Sequence, residues 1–549
     1  MPFRPLRTQN WKIYYLKYYC NTCKSFSVRV HTDTVCECMN GCQIHIKDVN
    51  FNKYSGIFDR EEINQKFYDN EFNILNMSKP FFENKFKFNF ATLSKKESEA
   101  INDLFSQKYL TEIKIDDIIA KHFRINNLTD SPERMDNFGY VLNLIEDIHH
   151  FLIRACQDIA LYDITLQYLD NKETIPFHSA RFFFYNSVES IWYAFERIIV
   201  YFGLKYNFEF KNNFELNTSI KIRDFLKKDS NCKNSKEYKQ LKEYIDKNMN
   251  FIDDIRKNNT HNMSKHILDI NQLVEKKPKE AFEKIFKPTG NTYDKNNFKP
   301  QIAKLIMAIK NLHNVLLIIA DNFYNDTEFL ENSSLPMLTE FEKPIDNKFT
   351  LTLNKTFDLE ELDKLKFKLF LKLSSVNTKH INNTDIQLLY DIFFRLEDIQ
   401  KCIVDTYNLE NGYLYDLWTN EISPEILKFL DEKNLLYAAL SRIYSVLDKL
   451  SKYVSSKYKI NNIKYFKDLS SLCTIFNSDF LNKTIKLANS EEYKLMYILR
   501  NRIAHNLSSG ALMGKEGIKY DNYYIYYVVT SLTYSCYELM NLELEQINQ

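Results

Sequence analysis

Apolar positions recur along most of this chain at spacings of three and four, the signature of helices that bury one face. The clearest cases are two sets of six. Phe184, Val188, Ile191, Phe195, Ile198 and Phe202 follow one another at 4-3-4-3-4, and Leu436, Leu440, Ile443, Leu447, Leu450 and Val454 repeat that spacing at a constant offset of 252. Each set predicts a helix of about six turns with one continuous apolar stripe. Other segments return in the same order. Glu146-Asp147-Ile148 reappears as Glu397-Asp398-Ile399, and a helix ending in Ile255-Arg256 is matched by one ending in Leu499-Arg500. Long apolar helices, 300–324 and 520–545, close the two copies. Four segments in one order at nearly constant offsets predict two homologous helical bundles, 136–328 and 385–549, the first carrying an insertion after His261. A connector, 329–384, lies between them, with Pro336, Pro344 and an alternating FTLTL segment at 349–353. Residues 51–135 have a mixed pattern and form a separate linker domain. There, Ser94-x-x-Glu97 is a capping-box signature before a helix towards Tyr109, and a second short helix is expected over 113–123.

Composition sharpens the helical reading. Only 9 Gly and 11 Pro in 549 residues leave few tight turns and exclude collagen-like, Gly/Pro-rich disordered and turn-dense all-β chains. The 44% of hydrophobic residues supplies a sizeable core and argues against disorder. A formal net charge of +1 argues against permanent wrapping of a long RNA, which needs a basic surplus. Charge is uneven, however. The first 32 residues hold Arg4, Arg7, Lys12, Lys17, Lys24 and Arg29 and no Asp or Glu, which makes them either a solvated tail or an electrostatic contact site. Residues 1–12 lack the apolar region of a secretory signal. No run of about 18 apolar residues occurs, and the most apolar stretch, 191–204, is cut by Glu196 and Arg197. A cytoplasmic protein without a membrane segment is expected.

Five of the ten cysteines fall within one short window, Cys20-x2-Cys23-x12-Cys36-x-Cys38-x3-Cys42. In a cytosolic chain such clustering points to a metal rather than to disulfides. Zn²⁺ takes four tetrahedral N/S ligands, and two short Cys pairs separated by a β-hairpin provide them. Residues 25–30 (SFSVRV) alternate like a strand. Cys20 and Cys23 form the first pair. Cys38 and Cys42 are chosen as the second, because Asn40-Gly41 can form the tight turn between them; Cys36 is the alternative ligand. A structural zinc ribbon over 1–50 is expected, since nothing nearby resembles an open three-ligand catalytic site. The other five cysteines are scattered singly and read as core or surface residues.

One constellation occurs in the third helix of each bundle. The first is Arg256-Lys257-Asn258-Asn259-Thr260-His261-Asn262, the second Arg500-Asn501-Arg502-Ile503-Ala504-His505-Asn506. Both read Arg-x4-His-Asn, and each follows a Ser-x-Glu-Tyr segment (235–238 and 490–493). A single Arg-x4-His carries no weight; two at matching places in a repeat do. Asn501 and His505 stand four residues apart on one helix face, where the amide can orient the imidazole. An imidazole titrates near neutral pH and can move a proton, and an Arg fork suits a phosphate. Glu146 and Glu397, shared by the repeats, are candidates for holding an active-site Arg but fit a helix surface better. His149-His150 has no counterpart in the second copy and reads as solvated. No Gly-rich phosphate loop, His-Glu-x-x-His or Gly-x-Ser-x-Gly motif is present.

Two helical bundles with Arg-(polar)-x3-His near the end of the third helix resemble the HEPN superfamily, many of whose members are metal-independent endoribonucleases in phage defence, toxin–antitoxin and CRISPR systems. The resemblance covers about 136–549. Arg500, Asn501 and His505 match its pattern in full, and Arg256 and His261 match with Lys257 at the position usually held by Asn. It implies a mainly α fold in which two HEPN-type bundles pack as a pseudo-dimer with their motifs facing, behind the small β ribbon and the mixed linker. It also implies RNA as substrate, cleaved by 2′-OH attack, with Arg256, His261, Arg500, Asn501 and His505 as catalytic residues and no catalytic metal; the structural Zn²⁺ is expected from the cysteine cluster alone. A phage-derived trigger, a regulatory protein or antitoxin and a second copy of the chain are the implied partners. Tandem units also resemble type VI CRISPR effectors, but near-neutral charge and the short remainder of chain favour a stand-alone antiviral or abortive-infection ribonuclease. The competing reading from another class is a non-catalytic adaptor using its bundles for assembly.

Overall fold

The computed structural model describes residues 6–7, 12–30, 36–38, 40–45, 48–62, 94–96, 99, 132–170, 179–209, 218–263, 267, 276–277, 279–280, 291–325, 358–376, 381–410, 432–472, 476–505 and 522–548. It is mainly helical. The first long helices are α1 (Pro132–Asp170) and α2 (Ala180–Lys205). Short helices α3 (Thr218–Leu226) and α4 (Ser230–Asn234) follow. The next helix is composite: α5 (Lys236–Tyr244) runs through a π-helical turn (Ile245–Met249) into α6 (Asn250–Thr260). Helix α7 (Asn291–Asn325) closes this group by packing on α1, α2 and α5. The second group holds α8 (Leu359–Ser374), α9 (Asn383–Glu410), α10 (Glu432–Tyr458), a 3₁₀ turn (Phe466–Ser471), α11 (Asp479–Ala488), α12 (Glu491–His505) and α13 (Asn522–Asn548). Here α10 packs along α9, α13 packs on both, and α8 covers α13.

Both six-residue stripes are buried, on α2 and α10, as their period requires. These two helices are buried on their remaining faces as well, because each lies between its own bundle and the other one. Apolar side chains of both groups form a single connected core. Polar contacts run across it as well. The Arg442 guanidinium lies 4.0 Å over the Phe182 ring and donates to Asn186 Oδ1 (2.5 Å) and to the Phe182 carbonyl (3.1 Å). Tyr193 Oη donates to Ser441 Oγ at 3.3 Å. One segment of α7, Phe298–Phe323, is long and apolar enough to cross a bilayer, yet 61% of its most apolar window is buried inside the fold. Its composition is explained by the core it fills.

The tightest junction is at the end of α6. An α-helix leaves its last carbonyls without internal partners. Here the carbonyl of Asn259 accepts from Arg395 (2.5 Å), Ser445 (3.2 Å) and Lys449 (2.8 Å), and that of Thr260 from Ser445 (2.9 Å) and Lys449 (3.3 Å). All three donors belong to the other bundle, and the Arg395 guanidinium suits the negative end of a helix dipole; burial, and then the charge of Arg395, push the Lys449 pKa well below its ordinary value. Asp391 balances them, 3.2 Å from Arg395 and 3.9 Å from Lys449.

The N-terminal part is an antiparallel sheet: β1 (Leu6–Arg7), β2 (Lys12–Cys20), β3 (Ser25–Val30), β4 (Cys36–Cys38) and β5 (Asn50–Glu62). β2 pairs with β5 along one edge and with β1 and then β3 along the other; β4 extends β3. The alternation of residues 25–30 is realised as β3. The sheet also runs past residue 50, because β5 pairs with β2 from Asn50 to Glu62. Of the helix expected after Ser94, only Lys95, Lys96 and Glu99 are described, and they are helical. The helix expected over 113–123 and the segment 349–353 lie outside the described residues.

Removing Lys449 strips two buried carbonyls of a donor and leaves Asp391 less compensated. Lys449→Met should lower the thermal midpoint of the whole chain by roughly 2–4 °C. Loss of the exposed Lys227–Asp224 pair (3.0 Å) in Lys227→Ala should move it by about 1 °C or less, both read by calorimetry.

Candidate functional site

Both Ser-x-Glu-Tyr segments are helix starts. Ser235 Oγ accepts from the Tyr238 N–H (3.1 Å), and Ser490 Oγ accepts from the Tyr493 N–H (3.2 Å), each satisfying one free donor of a first turn. The helix behind Ser490 runs 15 residues to His505. The one behind Ser235 is longer and contains the π turn, where Asn248 accepts from Asn311 on α7 (2.8 Å). A π turn rotates everything downstream, and so helps set the face on which Arg256 emerges.

The two arginines are held alike. The Arg256 guanidinium stacks 4.3 Å over Trp192, and that of Arg500 stacks 4.3 Å over Tyr444. Trp192 and Tyr444 stand 252 residues apart, the offset of the apolar stripes. Arg256 also pairs with Asp253 (3.1 Å), and its buried Nε has no hydrogen-bond partner among the described residues. Arg500, 7% exposed, donates to Asn501 Oδ1 at 3.0 Å. Helix α6 packs on α10 and α12 packs on α2, so each motif helix rests on the central helix of the opposite bundle.

His261 follows the end of α6 and crosses to the second bundle. Its Nδ1 lies 2.9 Å from Asp448 Oδ2. Such a contact places a proton on Nδ1 and leaves Nε2 as an acceptor when the ring is neutral. Tyr444 and Tyr465 stand edge-on to the imidazole, at 6.3 and 6.4 Å between ring centres. Burial pushes the His261 pKa below its ordinary value; Asp448 opposes this, and the charges of both Arg256 and Arg500 add to the lowering. The same two guanidiniums act on Tyr193, whose phenol burial and then Glu189 raise while the arginines pull it the other way. Arg256, His261 and Arg500 therefore share one electrostatic neighbourhood at the junction of the bundles.

Other residues fall differently. His505 is the last residue of α12, but its side chain lies outside the described residues. Asn501 contacts Arg500. Lys257 pairs with Asp253 and is mostly exposed. Glu397 does not hold Arg500: burial raises its pKa, and the cations acting on it are Lys366, Lys401 and Arg181. The Glu146 side chain is outside the described residues. The expectation of a solvated His149-His150 is corrected: His149 is buried and, chiefly by burial, kept well below its ordinary pKa, and His150 Nε2 meets Asn434 Oδ1 of the other bundle at 3.2 Å. Cys156, Cys232, Cys402 and Cys536 are buried and form no disulfide. Sequence reasoning missed Asp448, Trp192 and Tyr444. The pair Glu196-Arg197 recurs 252 residues later as Asp448-Lys449, which marks the first without saying what it meets.

The second cluster is in the sheet. The sulfurs of Cys20, Cys23, Cys38 and Cys42 all lie within 4.8 Å of one another, and Cys36 is not among them. Cys23 Sγ and Cys38 Sγ are 3.7 Å apart. That is too long for a disulfide and fits the edge of a tetrahedron with metal–sulfur bonds of about 2.3 Å. Gly41, at φ +75°, makes the tight turn: its N–H donates to the Cys38 carbonyl at 2.8 Å. The hydroxyls of Ser25 and then Ser27 pull the Cys23 thiol pKa down, which favours the ligating thiolate. The four cysteines form a possible metal site.

Compared with known proteins, the chain matches no family model, no curated protein and no solved structure.

The sulfur geometry predicts about one tightly held metal ion per chain. Elemental analysis should find it in the unmutated protein and in Cys36→Ser, and should find it lost from Cys20→Ser/Cys23→Ser. An unmutated chain without metal would overturn the site.

Proposed function

We propose that the chain is a HEPN-type, metal-independent endoribonuclease with a composite active site between its two bundles. What carries this reading is His261: an imidazole oriented by Asp448 of the second bundle and acted on by Arg256 of the first and Arg500 of the second. A phosphodiester cleavage needs a group that removes a proton, a group that returns one and cations for the charge that builds on phosphorus. In the proposed step, neutral His261 Nε2 takes the proton of a ribose 2′-OH. The O2′–P bond forms as the P–O5′ bond breaks, and His505 supplies the proton to O5′. Arg256, with a buried N–H unpaired among the described residues, and Arg500 stabilise the phosphorane. The products are a 2′,3′-cyclic phosphate and a 5′-OH. Asn501 positions Arg500.

The cysteine quartet has the donor set of a structural zinc site, where Zn²⁺ would lock the knuckles of β2 and β4 together; Cys20, Cys23, Cys38 and Cys42 would hold it. The biological setting that the resemblance implies is antiviral defence in the cytoplasm, with a phage component or a regulatory protein as trigger. The adaptor reading is favoured by one observation, the engagement of both arginines in aromatic stacking. Incubating the purified chain with total RNA, without added metal, and typing the fragment ends separates the two. Cyclic phosphate and 5′-OH ends are expected; intact RNA would leave the adaptor.

His505→Ala should fold normally by circular dichroism and lose at least about 10²-fold in cleavage rate. Groups that act as one unit are non-additive when removed. Arg256→Ala/His261→Ala should therefore be nearly as damaging as Arg500→Ala/His505→Ala, and the combined variant little worse than either. Cleavage at the normal rate by the first-motif variant would refute a composite site.

The pH profile follows from the direction of the His261 shift. As base, His261 must be neutral, and its lowered pKa keeps it so to lower pH than an ordinary histidine. The acidic limb of kcat/KM should thus lie below about 6.5. Asp448 raises the His261 pKa, so Asp448→Asn should move that limb further to acid while reducing the plateau, because the ring loses its fixed tautomer. An unmoved limb in this variant would refute the pairing.

A further inference from the structure

We propose that Tyr465 is a stacking platform for a nucleobase beside the scissile phosphate, and that the substrate is therefore an unpaired stretch of RNA; this rests on the ribonuclease reading. Aromatic residues this large are mostly buried here, yet Tyr465 is 39% exposed. It stands at the rim of the site, its ring centre 6.4 Å from that of His261 and nearly perpendicular to it, at 79°. It is not a loose surface residue. Its backbone N–H and that of Lys464 both donate to Asp468 Oδ2, at 2.8 and 2.9 Å, and the Asp468 N–H returns a bond to the Tyr465 carbonyl at 3.0 Å. The next residue, Phe466, is buried and packs edge-on against Tyr493, with ring centres 5.0 Å apart. The loop that leads here is tied down as well, with Ser455 Oγ donating to the Ile460 carbonyl at 2.9 Å. A rigid, exposed ring next to a proton-transferring imidazole has little to do in the free protein.

The charge around the ring fits a nucleotide. Lys467 Nζ lies 5.8 Å from the ring centre, exposed Lys464 precedes it, and Lys452 reaches Asn262, the residue after His261, at 2.9 Å. Cations flanking an aromatic ring are the arrangement by which proteins hold a single strand: the ammoniums follow the phosphates and the ring takes a base. Every base has a π face, so such a platform gives affinity without much sequence preference. Bases inside a duplex are stacked on each other and cannot use it.

The test is binding of a non-cleavable 2′-O-methyl oligonucleotide to the full chain by fluorescence anisotropy, as a single strand and as a duplex. The unmutated chain should prefer the single strand. Tyr465→Ala should weaken single-strand binding about 5- to 150-fold, the range for loss of one stacked base. Tyr465→Phe and Tyr465→Trp should retain it, and the Trp variant should show quenching of its fluorescence on binding. Tyr465→Leu keeps apolar bulk beside His261 but cannot stack, so it should bind as weakly as the Ala variant. Leu restoring full affinity, or Ala losing none, would overturn the platform while leaving the ribonuclease reading in place. Equal binding of duplex and single strand would do the same. No binding of either by the unmutated chain would overturn both.

Discussion

The end of α6 cannot be satisfied within its own bundle, and much of the architecture follows from how it is satisfied. Two carbonyls, of Asn259 and Thr260, lie in the protein interior, where an unmet acceptor costs on the order of 1–3 kcal/mol. Their donors come from α9 and α10 of the other bundle. Ser445, Asp448, Lys449 and Lys452 follow one another on one face of α10 and between them meet the chain from Asn259 to Asn262. The opposite face of α10 carries the apolar stripe of its own core. One helix therefore serves as a core element on one side and as a polar receptor for a foreign helix end on the other. The position of His261 is a consequence: it is the first residue past the docked carbonyls, and Asp448 is the next group along the receptor.

Correspondence between the two bundles does not make the junction symmetrical. Trp192 and Tyr444 occupy equivalent places and stack under equivalent arginines. Glu196-Arg197 and Asp448-Lys449 also correspond, but they behave differently. Lys449 reaches across to the other bundle, whereas Arg197 turns inward to Asp147 at 2.9 Å, under the ring of Phe151. The helix before the first motif is longer and has a π turn. Two motifs of common pattern thus enter the junction with different supports.

The sheet solves a separate problem. Its own core among the described residues is Cys20, Val28, Cys38 and Val49, too small to order a fold by burial alone. A metal held by the four sulfurs would cross-link two knuckles and compensate for the missing apolar area, as metal does in small domains generally. β5 adds backbone pairing along the whole of β2, and so carries the sheet beyond the cysteine segment.

By itself the sequence determined the helical class, the two buried stripes, the strand at 25–30 and the choice of Cys38 and Cys42 over Cys36. Each depends on neighbours within a few positions: a 3.6-residue period, an alternation of two, a glycine that allows a positive φ between two cysteines. The pairing of β5 with β2 was not legible, because strand partners are chosen across distance. Neither was Asp448 as the partner of His261, nor Tyr465 at the rim. Their identities as an acidic residue in an apolar helix and a tyrosine in a polar loop carry no address. Only the packing of one bundle on the other decided which residues from 187 and 204 positions further along would surround one imidazole.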